Sequence, residues 1–384
     1  MSFLSNNPIS REINRERVFG LDILRALAIF FVLMGHGSLF MPMRFQVLQW
    51  MLIPIDAVSL FFVLSGFLIG RILIDTFSKR EIGIRTVVVF WSRRWLRTLP
   101  AYFAMLLLLA VVYQKFDKSF LLKYALFIQN FKTPLPEWFA ESWSLTIEEW
   151  FYLLTPMVLF VLIKIAKLKT PHAFLVMCLG FMIVFPAFRL YRYFHMSLPL
   201  QHRVWDFYFR MQVVTRLDAI MYGVFGAYIY RYYRQVWEQQ KKKRAIIGTI
   251  IILVNRCIAY YFAITQVGAL YNSVFCFCVD SIAILMLMPY FESLKKGKGK
   301  IGKVVTFISV ISYSLYLVNF ALVSLWIMYI FPHFGLTGNS YYAMKYGVYW
   351  IISFVLAVCL YLAVEYPYLQ FRDKFIEVDH RKID

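Results

Sequence analysis

The apolar residues of this chain gather into runs of about 20 residues, the length that carries a helix across a hydrocarbon core, with short polar segments between them. The runs lie near 21–40, 53–71, 99–114, 143–163, 173–189, 212–230, 246–264, 272–290, 305–330 and 346–364. They leave no stretch long enough for a large soluble domain. The chain is therefore expected to be an all-α polytopic membrane protein with about ten transmembrane helices. Composition agrees: 61% of the 384 residues are hydrophobic and 16% charged, well outside the soluble range. The first run leads straight into a second and has no small-residue cleavage site, so it is read as a span rather than a signal peptide.

A net charge of +20 invites a nucleic-acid reading, and the placement of the basic residues decides against it. With the N-terminus inside, the inner segments hold 28 of the 41 Lys and Arg, from Arg11 to Lys382, and the outer segments hold 10. That asymmetry follows the positive-inside rule and puts both termini in the cytoplasm. The basic stretches Lys241–Arg244 and Lys295–Lys303 are then loops held at an anionic inner leaflet. Cys178, Cys257, Cys276, Cys278 and Cys359 lie in apolar runs without a CxxC pair, so they read as small hydrophobes. Spacings for a metal site, a GxSxG elbow, a phosphate-cradling loop or a dinucleotide turn are missing. Neither a metal nor a bound cofactor is expected.

Ionisable residues inside a span need a partner or a wet cavity, which makes their depth informative. Counted from the outer ends, His36 lies a turn from the end of span 1 and Asp56 a turn into span 2. Glu148 lies just over a turn into span 4, and Arg216 and Asp218 one to two turns into span 6. An inner set comprises Asp22, Arg25, Arg71, Arg93, Arg94, Arg97 and Glu365. Arg25 and His36 are eleven residues apart, which places them about 20° apart around a helix and about 16 Å apart along it. Asp22 falls about 40° from His36 by the same geometry, so one face of span 1 carries polar groups at both levels. A lone span histidine is commonly an interhelical hydrogen bond; the shared stripe favours a functional role. Arg93, Arg94 and Arg97 crowd one side of a helix before Pro100. They fit either an interfacial anchor or a phosphate site, for which the guanidinium fork is suited. Arg256 and Asp280 lie at equal depth on neighbouring spans and read as a structural ion pair.

Several motifs, taken in order, resemble the acyltransferase-3 family of membrane acyltransferases from about Phe19 to Phe371. "GLDILRALAIFFVLMGH" resembles that family's first helix, with its Arg-x10-His spacing on Arg25 and His36, and "LFFVLSGFLIGRIL" its second. "FWSRRWLRTLPAYF" carries its Arg-x-x-Arg on Arg94 and Arg97. "SWSLTIEEWFYLLTP" resembles its Trp-Ser-Leu, Glu and Phe-Tyr signature on Trp143, Ser144, Leu145, Glu148, Phe151 and Tyr152. "TRLDAIMYGVFGAY", "ISYSLYLVNF" and "EYP" also fit. Two departures stand out. Ser59 occupies a place where many members have Asp, with Asp56 one turn earlier, and Asn319 stands where a His often follows the Ser-Tyr-Ser-Leu-Tyr-Leu motif.

The resemblance implies a membrane domain over 19–371 between cytoplasmic segments 1–18 and 372–384, with no appended extracytoplasmic hydrolase-like domain. It implies acetyl-CoA or another acyl-CoA as donor on the cytoplasmic side and a hydroxyl of a sugar or glycolipid as acceptor. The expected setting is the bilayer of a bacterial inner membrane. Donor binding is expected at Arg25, Asp22, Arg94, Arg97 and Arg93, and the acceptor lining at Asp56, Ser144, Trp143, Arg216 and Asp218. His36 is expected as general base or as carrier of the acyl group, with Glu148 orienting it or helping to bind the acceptor. The competing classes are a secondary transporter or exporter of an anionic envelope precursor, where buried charges mark a path and no bond is made, and a structural role in envelope assembly.

Overall fold

The apolar runs form ten long helices, which we label α1 (Phe19–Gly37), α2 (Ala57–Phe77), α3 (Ile84–Val112), α4 (Ser142–Phe160), α5 (Thr170–His195), α6 (Val213–Tyr232), α7 (Lys241–Thr265), α8 (Cys276–Ser293), α9 (Gly299–Val318) and α10 (Gly338–Leu360). The computed structural model describes residues 8–13, 17–78, 82–136, 138–196, 202–265, 267–330 and 338–381. His333 and parts of the terminal segments 1–18 and 372–384 lie outside the described residues. No strand occurs among the described residues, and nine of their helices are long and apolar enough to cross a membrane.

The exception by composition is α6, which carries Arg216 and Asp218. It is also among the most enclosed helices: Val213, Leu217, Ile220, Met221, Val224 and Ala227 are all buried. Arg216 and Asp218 face protein instead of lipid, which removes the penalty that a lipid-facing charge would incur. Its approach to α2 is close. A Cβ on Gly223 would lie 2.1 Å from the Val63 carbonyl oxygen, and one on Gly66 would lie 1.9 Å from that of Ile220. Only glycine at both positions lets these backbones meet, the small-residue packing that membrane helices favour. By contrast α7 turns Ile246, Ile250, Leu253 and Val254 outward, as a lipid-facing helix should.

Several helices are longer than the apolar runs. α3 begins at Ile84 and passes through Pro100, so Arg93, Arg94 and Arg97 lie within the helix and not before it. α5 extends beyond residue 189 to His195, bringing Arg189 and Arg192 inside. The boundary expected at residue 372 falls within a helix, Tyr366–Arg381, that continues from α10 through a π-helical turn at Tyr361–Glu365. Five π-helical turns interrupt the regular pattern among the described residues, three of them at Asp206–Arg210, Tyr271–Phe275 and Asn319–Ser324. Such turns re-aim side chains and are frequent at functional sites; each of these three contributes to the cavity described next.

Candidate active site

Helix direction explains how the site is built. The C-terminal end of α1 meets the N-terminal ends of α2, α4 and α6, so residues near those four ends share one membrane level. There a cavity of about 430 Å³ is lined by His36, Asp56, Glu141, Trp143, Arg210 and Phe320, among others. Further along α1, α2 and α4 from that level, and beside α3 and α9, a second cavity of about 380 Å³ is lined by Arg25, Arg94, Arg97, Ser144, Glu148 and Tyr152, among others. Val58 and Tyr316 line both.

The arginine cavity takes its polar wall from one face of α4, because Ser144, Glu148 and Tyr152 follow at intervals of four residues. Arg94 Nη2 donates to Tyr152 Oη at 3.1 Å, with its guanidinium 4.6 Å from that ring. The Tyr152 hydroxyl in turn donates to Glu148 Oε2 at 3.0 Å. Arg25, Arg71, Arg94 and Arg97 face only Asp75 and Glu148 as carboxylates in the lining. The surplus of guanidinium groups suits a polyanionic ligand.

The other cavity holds the imidazole. His36 Nδ1 pairs with Asn319 Oδ1, and the direction of that bond follows from the network. Asn319 Nδ2 is already committed to the carbonyls of Leu315 at 2.9 Å and Tyr316 at 2.8 Å, so Oδ1 must accept and Nδ1–H must donate. In the neutral ring that leaves a lone pair on Nε2. Phe320 packs against the imidazole at 4.5 Å between ring centroids.

Asp56 caps α2, accepting from the Ser59 amide at 3.3 Å and the Ser59 hydroxyl at 2.7 Å. Its carboxylate thus reaches the position held by Ser59. Arg210 reaches Asp56 at 3.0 Å and Asp206 at 3.0 Å and lies 4.8 Å from the centroid of the Trp143 ring. Burial alone would raise the Asp56 carboxyl, but Arg210 and Arg216 outweigh it and hold the group below the usual carboxylate range. Glu141, just before α4, behaves in the opposite way. Burial pushes its carboxyl up to about 8, against the hydrogen bond it accepts from the Ala321 amide.

Of the residues expected from the sequence, Arg25, Arg94, Arg97, Ser144 and Glu148 meet in the arginine cavity, and His36, Asp56 and Trp143 in the histidine cavity. The stripe on α1 therefore spans both. The pairing of Glu148 with His36 fails, because helix phase counts as well as depth. Glu148 is five residues from Trp143, about 140° around the helix, and it faces the arginines instead. Asp22 does not line the arginine cavity; it is 3% exposed and is bound by Arg17 at 2.6 Å and Ser309 at 2.6 Å. Arg93 is not among the lining residues of either cavity. Arg216 stands behind the wall of the histidine cavity, donating to Ser59 Oγ at 2.8 Å and Asp56 at 3.4 Å. Asp218 is also withdrawn from it, forming a paired contact with Arg189 in which both bonds are 2.8 Å. Asp280 accepts from Asn255 Nδ2 at 2.7 Å, and both Asp280 and Arg256 line the histidine cavity.

Sequence reasoning missed Arg210 and the roles of Asn319 and Tyr316. For Arg210 a weak signal existed: Asp206, four residues earlier, is spaced for an i,i+4 ion pair. Asn319 stood out only as a departure from a motif.

The chain matches the acyltransferase domain family over residues 18–366. A Staphylococcus aureus (strain COL) protein provisionally named an O-acetyltransferase is 26% identical over 327 residues, covering 79% of this chain and 50% of its own length. The peptidoglycan O-acetyltransferase of Listeria monocytogenes is 30% identical over 186 residues, covering 44% of this chain and 28% of its own. A Bacillus subtilis protein provisionally named a peptidoglycan O-acetyltransferase is 31% identical over 189 residues, 43% of this chain and 28% of that one. The chain thus spans about half the length of the staphylococcal relative. No solved structure matches it.

Proposed function

The chain belongs to the acyltransferase-3 family, and from that premise we propose that it is a membrane O-acyltransferase that moves an acyl group from acyl-CoA to a sugar hydroxyl. The observation that carries this reading is the pair of cavities: one rich in arginine, one holding His36, meeting at Val58 and Tyr316. The phosphates of CoA suit Arg25, Arg94 and Arg97. The pantetheine arm is comparable in length to the rise of about 16 Å from Arg25 to His36, so the thioester reaches the histidine while the nucleotide stays among the arginines. Glu148, Tyr152 and Arg94 belong to the donor side and help to hold that arm.

His36 Nε2 takes the proton of the acceptor hydroxyl, whose oxygen attacks the thioester carbonyl carbon. The carbon–sulfur bond then breaks, and the CoA thiolate recovers the proton from Nε2–H. Asn319 keeps the ring in the tautomer this requires and fixes its orientation. Arg210, anchored by Asp56 and Asp206, supplies N–H donors on the wall of the same cavity for charge developing on the carbonyl oxygen.

The positive-inside distribution supports a cytoplasmic donor, and the names of the relatives support acetyl as the group moved and a bacterial inner membrane as the setting. Peptidoglycan, named for the Listeria relative, is the first acceptor to test, ahead of lipid-linked and other surface sugars. Purified protein in lipid vesicles is expected to release free CoA from acetyl-CoA when envelope glycan is supplied and to leave a new acetyl ester on that glycan. Movement of glycan across the vesicle with no CoA released would replace the enzyme by a transporter.

A further inference from the structure

Tyr316 stands on the boundary between the two cavities, and its side chain is buried. Its hydroxyl is fastened twice at the start of α4, to Ser144 Oγ at 2.6 Å and to the Glu141 carbonyl oxygen at 3.1 Å. Phe61 meets its ring edge-on at 6.2 Å between centroids. The first turn of α4 completes the wall. Ser144 lines the arginine cavity, whereas Glu141 and Trp143 line the histidine cavity. The phenol is thus a latched partition between the place suited to a thioester donor and the place that holds a base.

We propose that Tyr316 is the residue that keeps the donor from being spent on water: the ring closes the passage at rest and yields to the acyl-pantetheine arm only once an acceptor is seated. This rests on the acyl-CoA reading given above. The chemistry requires some such barrier. A neutral imidazole beside a thioester can deprotonate water as readily as a sugar hydroxyl. Water would add to the thioester carbonyl, the carbon–sulfur bond would break, and the products would be the free carboxylic acid and CoA thiol. Excluding water until the acceptor is seated prevents this side reaction. A wall held by two hydrogen bonds to its rim, with no ion pair, can be displaced by an incoming arm and re-form after it leaves.

The test compares CoA release without acceptor (hydrolysis) with acyl ester formed on glycan (transfer) in wild type, Tyr316→Phe and Ser144→Ala. Tyr316→Phe keeps the ring and removes both latches; its hydrolysis is expected to rise roughly tenfold, the scale of an average hydrogen bond, with transfer retained. Ser144→Ala removes one latch and is expected to shift the ratio the same way by less, which keeps the question decidable if Tyr316→Phe does not fold. Variants that fold, bind acetyl-CoA as wild type does and keep its hydrolysis-to-transfer ratio would overturn the partition, as would a fall in transfer with no rise in hydrolysis. Wild-type protein that uses no acyl-CoA with any glycan supplied would overturn the acyl-CoA reading itself and the partition with it.

Discussion

Replacing His36 by Ala is expected to cut transfer by about 10²–10⁴-fold, the range a positioned general base contributes, while leaving the affinity for acetyl-CoA close to wild type. The separation of effects follows from position: His36 lines one cavity and the arginines the other. Asn319→Ala should produce a smaller loss confined to kcat, because the ring remains but loses the acceptor that fixes its Nδ1–H. Initial rates with acetyl-CoA and glycan varied independently, alongside direct binding of acetyl-CoA, separate these cases. A His36→Ala protein that is folded, inserted and fully active would remove His36 both as base and as acyl carrier.

The second large effect concerns the donor. Arg97→Ala and Arg94→Ala should each weaken acetyl-CoA binding by roughly ten- to a hundredfold, since a hydrogen bond to a charged group is worth about 1.5–3 kcal/mol. The glycan KM should stay unchanged. Arg97→Ala is the cleaner variant. Arg94 also donates to Tyr152, so its removal disturbs the Tyr152–Glu148 hydrogen bond and needs a folding control such as detergent-solubilised size and melting. Unchanged affinity in both variants, measured by calorimetry, would take the phosphates away from this cavity.

The helix count was legible because the length of an apolar run is a property of the local chain, and the Arg25–His36 stripe because both residues ride on one helix, where phase is fixed by residue number. Glu148 shows where that reasoning stops. Its depth could be counted from the sequence, but its direction depended on the rotation of α4 against α3, which is set by packing. Asp218 and Arg189 show the same limit, since partners on two different helices meet only in the folded bundle. The run "SRRWLR" fitted an interfacial anchor as well as a cavity wall, and the choice needed the full length of α3. Arg210 escaped notice because it lies between spans, in a π-helical turn that no apolar periodicity marks. Asn319 was conspicuous as a departure from a motif, yet its use as the acceptor for His36 Nδ1–H depends on two carbonyls of α9 occupying its amide nitrogen.

The most direct measurement is a cryo-electron microscopy structure of the protein in lipid nanodiscs with a non-hydrolysable acetyl-CoA analogue and an acceptor glycan fragment. Phosphate density is expected against Arg25, Arg94 and Arg97, with the arm passing Glu148 and the acyl carbon beyond a displaced Tyr316, facing His36 Nε2. Density for the phosphates in the His36 cavity, or an arginine cavity left vacant at a saturating concentration of the analogue, would contradict it.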